Sequence, residues 1–130
     1  MKTAPRILVV DDDPEIATML TRALARHGYR IETSRSPDEA LALVQGDPDY
    51  QAAFLDLVMP ERDGAALAAA LRRLIPGLPL ALLTGYTHSP LIEQAARAGV
   101  AVFTKPVSIH ELVEFLTVAG LHARRDSPDP

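Results

Sequence analysis

Short apolar runs rich in β-branched residues alternate along the chain with longer stretches in which apolar positions recur at helical spacing. The short runs predict five β-strands, at residues 6–10, 30–33, 52–57, 80–83 and 100–104. The second run is the most polar of them. Central strands of a parallel sheet are buried on both faces, so this polar run is expected at an edge.

The longer stretches predict amphipathic α-helices, each with one apolar face. Three of these faces consist of Ile16, Met19, Leu20, Ala23 and Leu24; of Leu67, Ala70, Leu71 and Leu74; and of Ile109, Leu112, Val113 and Leu116. Asp13 before Pro14 marks one helix start, and the capping-box patterns Ser36-x-x-Glu39 and Ser108-x-x-Glu111 mark two others. Helix ends with a left-handed residue are expected at the glycines at positions 28, 46, 99 and 120.

Regular strand–helix alternation predicts an α/β fold. Parallel strands need crossover connections, and right-handed crossovers place helices on both faces of the sheet. In such open sheets a ligand binds beyond the carboxyl ends of the strands, where the strand order reverses. Polar residues at those strand ends are therefore the first candidates for function.

Composition narrows the class of protein. The chain has 130 residues, 48% of them hydrophobic and 23% charged, which predicts one globular domain over residues 1–122, with a polar tail at 123–130. A net charge of −4 does not suit direct nucleic-acid binding. The chain has no cysteine for a thiolate site or disulfide, and no apolar run long enough to span a membrane. We expect a cytoplasmic protein with no membrane contact.

Acidic residues stand at the ends of two predicted strands. Asp11, Asp12 and Asp13 follow the first strand directly, and helix capping explains Asp13 well but the other two poorly. Asp56 lies within an apolar stretch, where a charge is costly unless a counter-ion is present. These two positions indicate a site that binds a cation.

Two further strand ends carry polar groups. Thr84 closes the fourth strand and Lys105 the fifth, although alone a turn threonine and a solvated lysine explain them equally well. Together, four of five strands end in a polar or charged group at the edge where a ligand site belongs. Clustered carboxylates favour Mg²⁺, and a magnesium ion with a lysine suits phosphoryl transfer to an aspartate.

The stretches ILVVDDDPE, FLDLVMPERDG, LLTGY and FTKP, in this order and spacing, resemble the receiver domain of bacterial response regulators, and the chemotaxis regulators among them. The resemblance covers nearly the whole chain. It implies a flavodoxin-like doubly wound fold with five parallel strands in the order 2-1-3-4-5. It also implies a phosphoacceptor that works in two-component signalling and is not an enzyme acting on a separate substrate.

The resemblance assigns roles to residues that match the family's motifs. Asp56 corresponds to the phosphoacceptor, Asp12 to a direct Mg²⁺ ligand and Asp11 to an acid that holds a metal-bound water. The backbone carbonyl of Val58 would be a further ligand, alongside Asp56. Thr84 corresponds to the switch hydroxyl. Lys105 corresponds to the phosphate-contacting lysine, before a proline whose peptide bond is usually cis in the family.

Implied partners are a sensor histidine kinase or a histidine phosphotransfer protein, which would supply the phosphoryl group. A downstream protein or a second copy would bind the face formed by the fourth helix, fifth strand and fifth helix. Here the sequence departs from the family, because Val102 occupies the position where an aromatic switch residue is common. Phe103 follows it, and strand alternation predicts that this ring points to the other face of the sheet.

Two alternatives remain open from the sequence. Asp11-x-Asp13 after an apolar strand also resembles the nucleophile motif of haloacid-dehalogenase-like phosphatases, which leaves Asp56 unexplained. A degenerate receiver that binds partners constitutively is the other, although every acceptor residue is present.

Overall fold

The computed structural model describes residues 4–56, 64–85 and 90–122. In these residues strands and helices alternate: β1 (Arg6–Asp11), α1 (Pro14–Arg26), β2 (Arg30–Ser34), α2 (Pro37–Gly46), β3 (Ala52–Asp56), α3 (Gly64–Leu74), β4 (Leu80–Thr84), α4 (Pro90–Arg97), β5 (Ala101–Thr104) and α5 (Ile109–Val118). The predicted tail at 123–130 lies outside the described residues. None of the described helices has the length and apolar character needed to cross a bilayer.

The strands form one sheet in the order β2-β1-β3-β4-β5, and every neighbouring pair is parallel. The predicted fold class and strand order are therefore confirmed. The polar strand β2 lies at an edge, as its composition predicted, while β1, β3 and β4 are interior. The order reverses between β1 and β3, so the crevice expected for a ligand lies at the carboxyl ends of these two strands.

Side-chain alternation along the central strands divides the core into two layers. Ile7 and Phe54 face α1 and α5, where they pack against Leu24 and Leu112. The intervening strand residues face α2, α3 and α4, in a cluster that contains Leu8, Leu55, Val44, Leu71 and Ala95. Because both faces are covered, the ends of β1, β3 and β4 are the places where a polar side chain can be held beside the apolar core.

Capping follows the sequence prediction with one difference. Asp13 and Ser36 accept hydrogen bonds from the amides of Glu15 and Glu39, and Ser108 forms a complete capping box with Glu111. The Glu39 carboxylate accepts from the amide of Arg35 instead of from its own cap residue. Both arrangements pair amides that would otherwise be free at a helix start.

Left-handed glycines were predicted at four helix ends. Gly28, Gly99 and Gly120 have positive φ, whereas Gly46 does not, because it is the last residue of α2 and α2 ends in an extended Asp47. The prediction for Gly46 is therefore wrong. Helix α2 ends without the left-handed turn, since the amide of Asp47 still donates to the Leu43 carbonyl in helical fashion.

Two residues assigned to apolar helix faces are exposed. Met19 in α1 is 58% exposed and Leu74 at the end of α3 is 38% exposed. Leu20 and Leu24 already fill the contact between α1 and the sheet, which leaves Met19 on the outer flank. Helical periodicity thus predicted the buried stripe but overestimated its width.

Arg72 joins α3 to the end of α4. Its guanidinium donates hydrogen bonds to the carbonyls of Ala98 and Gly99, which follow α4, and to Leu78 before β4. Gly99 has a φ of 80°, and its carbonyl lies 3.0 Å from the Arg72 Nη2. One side chain therefore satisfies three carbonyls and fixes the C-terminal end of α4 against α3.

We expect Arg72→Met to lower the free energy of unfolding by about 1–3 kcal/mol, since charge-assisted hydrogen bonds to the three carbonyls are lost while most of the apolar stem is kept. Urea unfolding measures the change. Arg73→Met is the matched control, because Arg73 is exposed and should change stability by less than about 0.5 kcal/mol. Equal losses in the two variants would contradict the anchoring role.

Candidate functional site

Two acids lie side by side at the carboxyl ends of β1 and β3. Asp11 and Asp56 are register partners across the parallel pair, so their backbones are one strand spacing apart, about 4.8 Å. Both continue the alternation that points Ile7 and Phe54 towards α1 and α5. Asp11 is fully buried and Asp56 is 2% exposed. Strand alternation and the β1–β3 register together place two carboxylates in neighbouring, desolvated positions.

Lys105 supplies the positive charge at this end of the sheet. Its Nζ lies 2.6 Å from Oδ1 of Asp56, with the lysine side chain 32% exposed. The backbone amide of Lys105 donates to the carbonyl of Thr84, which ties the end of β5 to the end of β4. The Lys105–Pro106 peptide bond is cis, as the family resemblance implied.

Burial dominates the electrostatics of both acids. Desolvation raises the pKa of Asp11 to about 7, with the charges of Asp56 and Asp12 acting in the same direction, while the Asp13 amide and Lys105 oppose it. Desolvation also raises the pKa of Asp56, and the adjacent Lys105 ammonium acts against that rise. One lysine does not balance two buried carboxylates, so the pair favours an additional cation.

Asp12 and Asp13 differ from the neighbouring Asp11 in exposure and in hydrogen bonding. Asp12 is exposed, whereas Asp13 is the N-cap of α1, and its own amide donates to Oδ1 of Asp11 at 2.8 Å. The other oxygen of Asp11, Oδ2, is buried and has no hydrogen-bond partner among the described residues. Capping thus accounts for Asp13 but leaves Asp11 with an unsatisfied carboxylate oxygen.

The donor set fits a hard divalent cation. An orphaned oxygen of Asp11 stands beside the Asp56 carboxylate, and Asp12 follows at the solvent side; Mg²⁺ prefers such oxygens with water completing its shell. In residues 4–56, 64–85 and 90–122, no three acids, histidines or cysteines are arranged to coordinate one ion by themselves. Val58, whose carbonyl is the remaining expected ligand, lies outside the described residues.

Thr84 reaches the same edge from the next strand. It directly follows Leu83, the register partner of Asp56, and it is 7% exposed. Val102 and Phe103 on β5 point to opposite faces, as alternation predicted: Val102 packs with the α2–α3–α4 cluster, and the Phe103 ring contacts Phe115 of α5 edge-on at 5.9 Å. No aromatic ring of β5 therefore faces α4.

The structure thus brings together Asp11, Asp56, Thr84 and Lys105, with Asp12 at the rim. Sequence reasoning missed Ser34, which ends β2 and is 2% exposed with a buried hydroxyl that has no partner among the described residues. Its signal was weak, because a serine after a polar edge strand is usually a solvated turn residue.

Comparison with known proteins is consistent with this geometry. A family model described as the response regulator receiver domain matches residues 7–117. The chain is 34% identical over 128 residues to the transcriptional regulatory protein TcrA of Mycobacterium tuberculosis, covering 96% of the chain and 49% of TcrA. It is 35% identical over 126 residues to the response regulator MprA of Mycolicibacterium vanbaalenii, covering 95% and 52%. The chain spans about half the length of these relatives.

Solved structures show the same fold. The chemotaxis protein CheY4 of Vibrio cholerae superposes with a TM-score of 0.79 at 26% identity, covering 90% of this chain and 99% of that one. A CheY-like receiver domain protein of Methanospirillum hungatei gives 0.81 at 29%, covering 89% and 93%. With the family match spanning most of the domain and the acids of β1 and β3 in register, the chain belongs to the response regulator receiver-domain family.

Proposed function

We propose that this receiver domain accepts a phosphoryl group on Asp56, with Mg²⁺, from a sensor histidine kinase or a histidine phosphotransfer protein. The observation that carries the proposal is the environment of Asp56. It is a buried carboxylate at the end of an interior strand, 2.6 Å from the Lys105 ammonium and in register with a second buried acid. Such a position is costly for stability and is expected where a charge has a function.

The proposed transfer uses residues of this site together with the phosphorylated imidazole of the donor. A carboxylate oxygen of Asp56 attacks phosphorus, the bond from phosphorus to the donor's imidazole nitrogen breaks, and that nitrogen keeps the electron pair. Lys105, already within 2.6 Å of Asp56, remains beside the new acyl phosphate and neutralises part of its negative charge. Thr84, next along the edge, is the hydroxyl assigned to the phosphoryl group.

Asp11, Asp12, Asp56 and the Val58 carbonyl are the groups assigned to Mg²⁺. The bound ion would neutralise carboxylate and phosphoryl charge during transfer. The partnerless Oδ2 of buried Asp11 supports this assignment, since a carboxylate oxygen without a donor is rare in a folded protein. Exposed Asp12 is accessible for coordination from the solvent side.

The receiver role lies in signalling, and the chemistry proposed is confined to the domain's own aspartate, within residues 1–122. The family match argues against the phosphatase alternative. A constitutive, degenerate receiver is disfavoured because Asp56 and Lys105 form an ion pair in a complete set of acceptor residues.

We expect Asp56→Asn to lose phosphorylation by acetyl phosphate in Mg²⁺, since the amide is a far weaker nucleophile of the same shape. Intact-mass spectrometry measures the added phosphoryl group. Asp13→Asn is the matched control: asparagine caps a helix as well as aspartate, so labelling should persist. Full labelling of Asp56→Asn would remove Asp56 as the acceptor.

Asp11→Asn should make the metal-free protein more stable at pH 8. Because the folded pKa of Asp11 is raised to about 7, folding takes up a proton between the unfolded and folded pKa values. Stability of the parent therefore falls as pH rises through this window, and the penalty is complete above it. The variant should gain on the order of 2 kcal/mol at pH 8 in EDTA, shrinking to nothing towards pH 4.

Urea unfolding across pH measures this difference, and Glu114→Gln is the exposed control with no expected pH-dependent gain. A parent as stable as Asp11→Asn at pH 8 would contradict the buried-charge penalty.

Added Mg²⁺ should stabilise the folded parent protein by mass action. Asp12→Ala should abolish that stabilisation, and an unchanged Mg²⁺ effect would exclude Asp12 as a ligand.

Phosphorylation is proposed to act on the face formed by α4, β5 and α5, where a downstream protein or a second copy would bind. A beryllofluoride-activated receiver domain of NtrC4, 25% identical with a TM-score of 0.78, was solved as a dimer. In this chain Val102 replaces the aromatic ring, and Phe103 is held under α5 by Phe115. The change would therefore pass through Thr84 and not through a rotating ring.

Beryllofluoride with Mg²⁺ should shift amide resonances of α4, β5 and α5 in the parent and in Phe103→Leu. Thr84→Val should lose most of these shifts, because the hydroxyl that would contact the phosphoryl mimic is gone. Two-dimensional NMR of the three proteins makes the measurement. Shifts that survive in Thr84→Val but vanish in Phe103→Leu would show that the aromatic ring carries the change.

A further inference from the structure

One side chain of α3 holds the segment that joins α4 to β5. The Arg72 guanidinium donates from Nη1 to the carbonyl of Ala98 and from Nη2 to the carbonyl of Gly99. Its Nε donates to the Leu78 carbonyl, and the side chain is half-buried. Because these donors lie in one rigid plane, they fix the orientation of the segment as well as its distance from α3. Among the described residues, no other side chain outside α4 hydrogen-bonds to α4 or to the two residues that follow it.

The backbone at the end of α4 suits this contact. Gly99 has a φ of 80°, which a residue with a side chain rarely adopts, and a Cβ added there would lie 3.5 Å from Nη1 of Arg72. A positive charge is also favoured at the C-terminal end of a helix, where the helix dipole is negative. Arg72 therefore meets α4 at the end where both backbone geometry and electrostatics favour a guanidinium.

The two ends of α4 have different attachments. The helix begins at Pro90, shortly after Thr84 along the chain, so its first turn is joined to the end of β4. Its last turn is held on α3 by Arg72. The eight residues of α4 span about 12 Å. A shift of about 2 Å at the first turn, a usual size for a helix that switches, therefore needs a rotation of only about 10° around the far end.

We propose that Arg72 is the pivot of the response to phosphorylation: it holds the C-terminal end of α4 on α3, so that α4 rotates about that end and moves mainly at its first turn. This inference rests on the proposed function, because it concerns the effect of a phosphoryl group on Asp56. The apolar cluster on this face contains small side chains from both elements, Ala95 of α4 and Val102 of β5. Small side chains make fewer contacts to be broken by a rotation than large ones do. Arg72 is thus a positioning residue for the switch.

The distribution of amide shifts along α4 tests the pivot. In the parent protein, saturating beryllofluoride with Mg²⁺ should shift the amide resonances of residues 93–94 and leave those of residues 97–99 nearly unchanged. In Arg72→Met the shifts at residues 97–99 should become comparable with those at residues 93–94, because the end of α4 is no longer held. Each protein is compared with itself before and after addition of beryllofluoride, so the static effect of the substitution cancels.

Two further variants control for charge and for stability. Arg73→Met is the matched control: Arg73 is exposed on the same helix, and this variant should show the parent's distribution of shifts. Arg72→Lys keeps the positive charge, but one ammonium cannot reproduce the planar set of donors, so it should also extend the response to residues 97–99, to a smaller extent. The parent's distribution in both Arg72 variants would overturn the pivot, and so would an extended response in Arg73→Met.

The parent protein separates this proposal from the proposed function. Shifts of equal size along the whole of α4 in the parent would overturn the pivot and leave the proposed function intact. A parent that shows no shift in α4, β5 or α5 at saturating beryllofluoride would overturn the pivot together with the proposed output face. Labelling of Asp56 by acetyl phosphate is measured separately, so the acceptor assignment stands or fails by itself.

Discussion

The buried carboxylates of Asp11 and Asp56 are the constraint on which the rest of this site depends. They stand in register at the ends of two adjacent interior strands, and within the described residues only one ammonium, that of Lys105, reaches Asp56. Desolvation raises the pKa of both acids, so the charged pair opposes folding unless more positive charge is present. The proposed Mg²⁺ would supply that positive charge, and the proposed phosphoryl transfer to Asp56 would make use of it. The stability cost and the proposed chemistry therefore have the same origin, which is common at functional sites.

The two faces of the sheet differ in how β5 is packed. On the α1–α5 face the Phe115 ring contacts both Phe54 and Phe103, so β5 is tied to α5 by aromatic packing. The α2–α3–α4 face has the smaller Val102 at the position beneath α4. Arg72 meanwhile holds the C-terminal end of α4 through the carbonyls of Ala98 and Gly99. Any rearrangement transmitted from Thr84 would thus act on the N-terminal end of α4, since the other end is anchored to α3.

The sequence by itself determined the strand and helix order, the parallel sheet, the edge position of β2 and the candidate acids, because each rests on local chemistry: periodicity, capping and the cost of a charge in an apolar run. It also predicted opposite faces for Val102 and Phe103, since alternation along a strand is local. Tertiary structure alone decided which charges meet. The pairing of Lys105 with Asp56 joins residues 49 positions apart, and the Arg72 guanidinium donates to carbonyls 26 and 27 positions away. Met19 and Gly46 show the same limit, because exposure and helix-end geometry depend on what packs nearby and not on the residue's own preference.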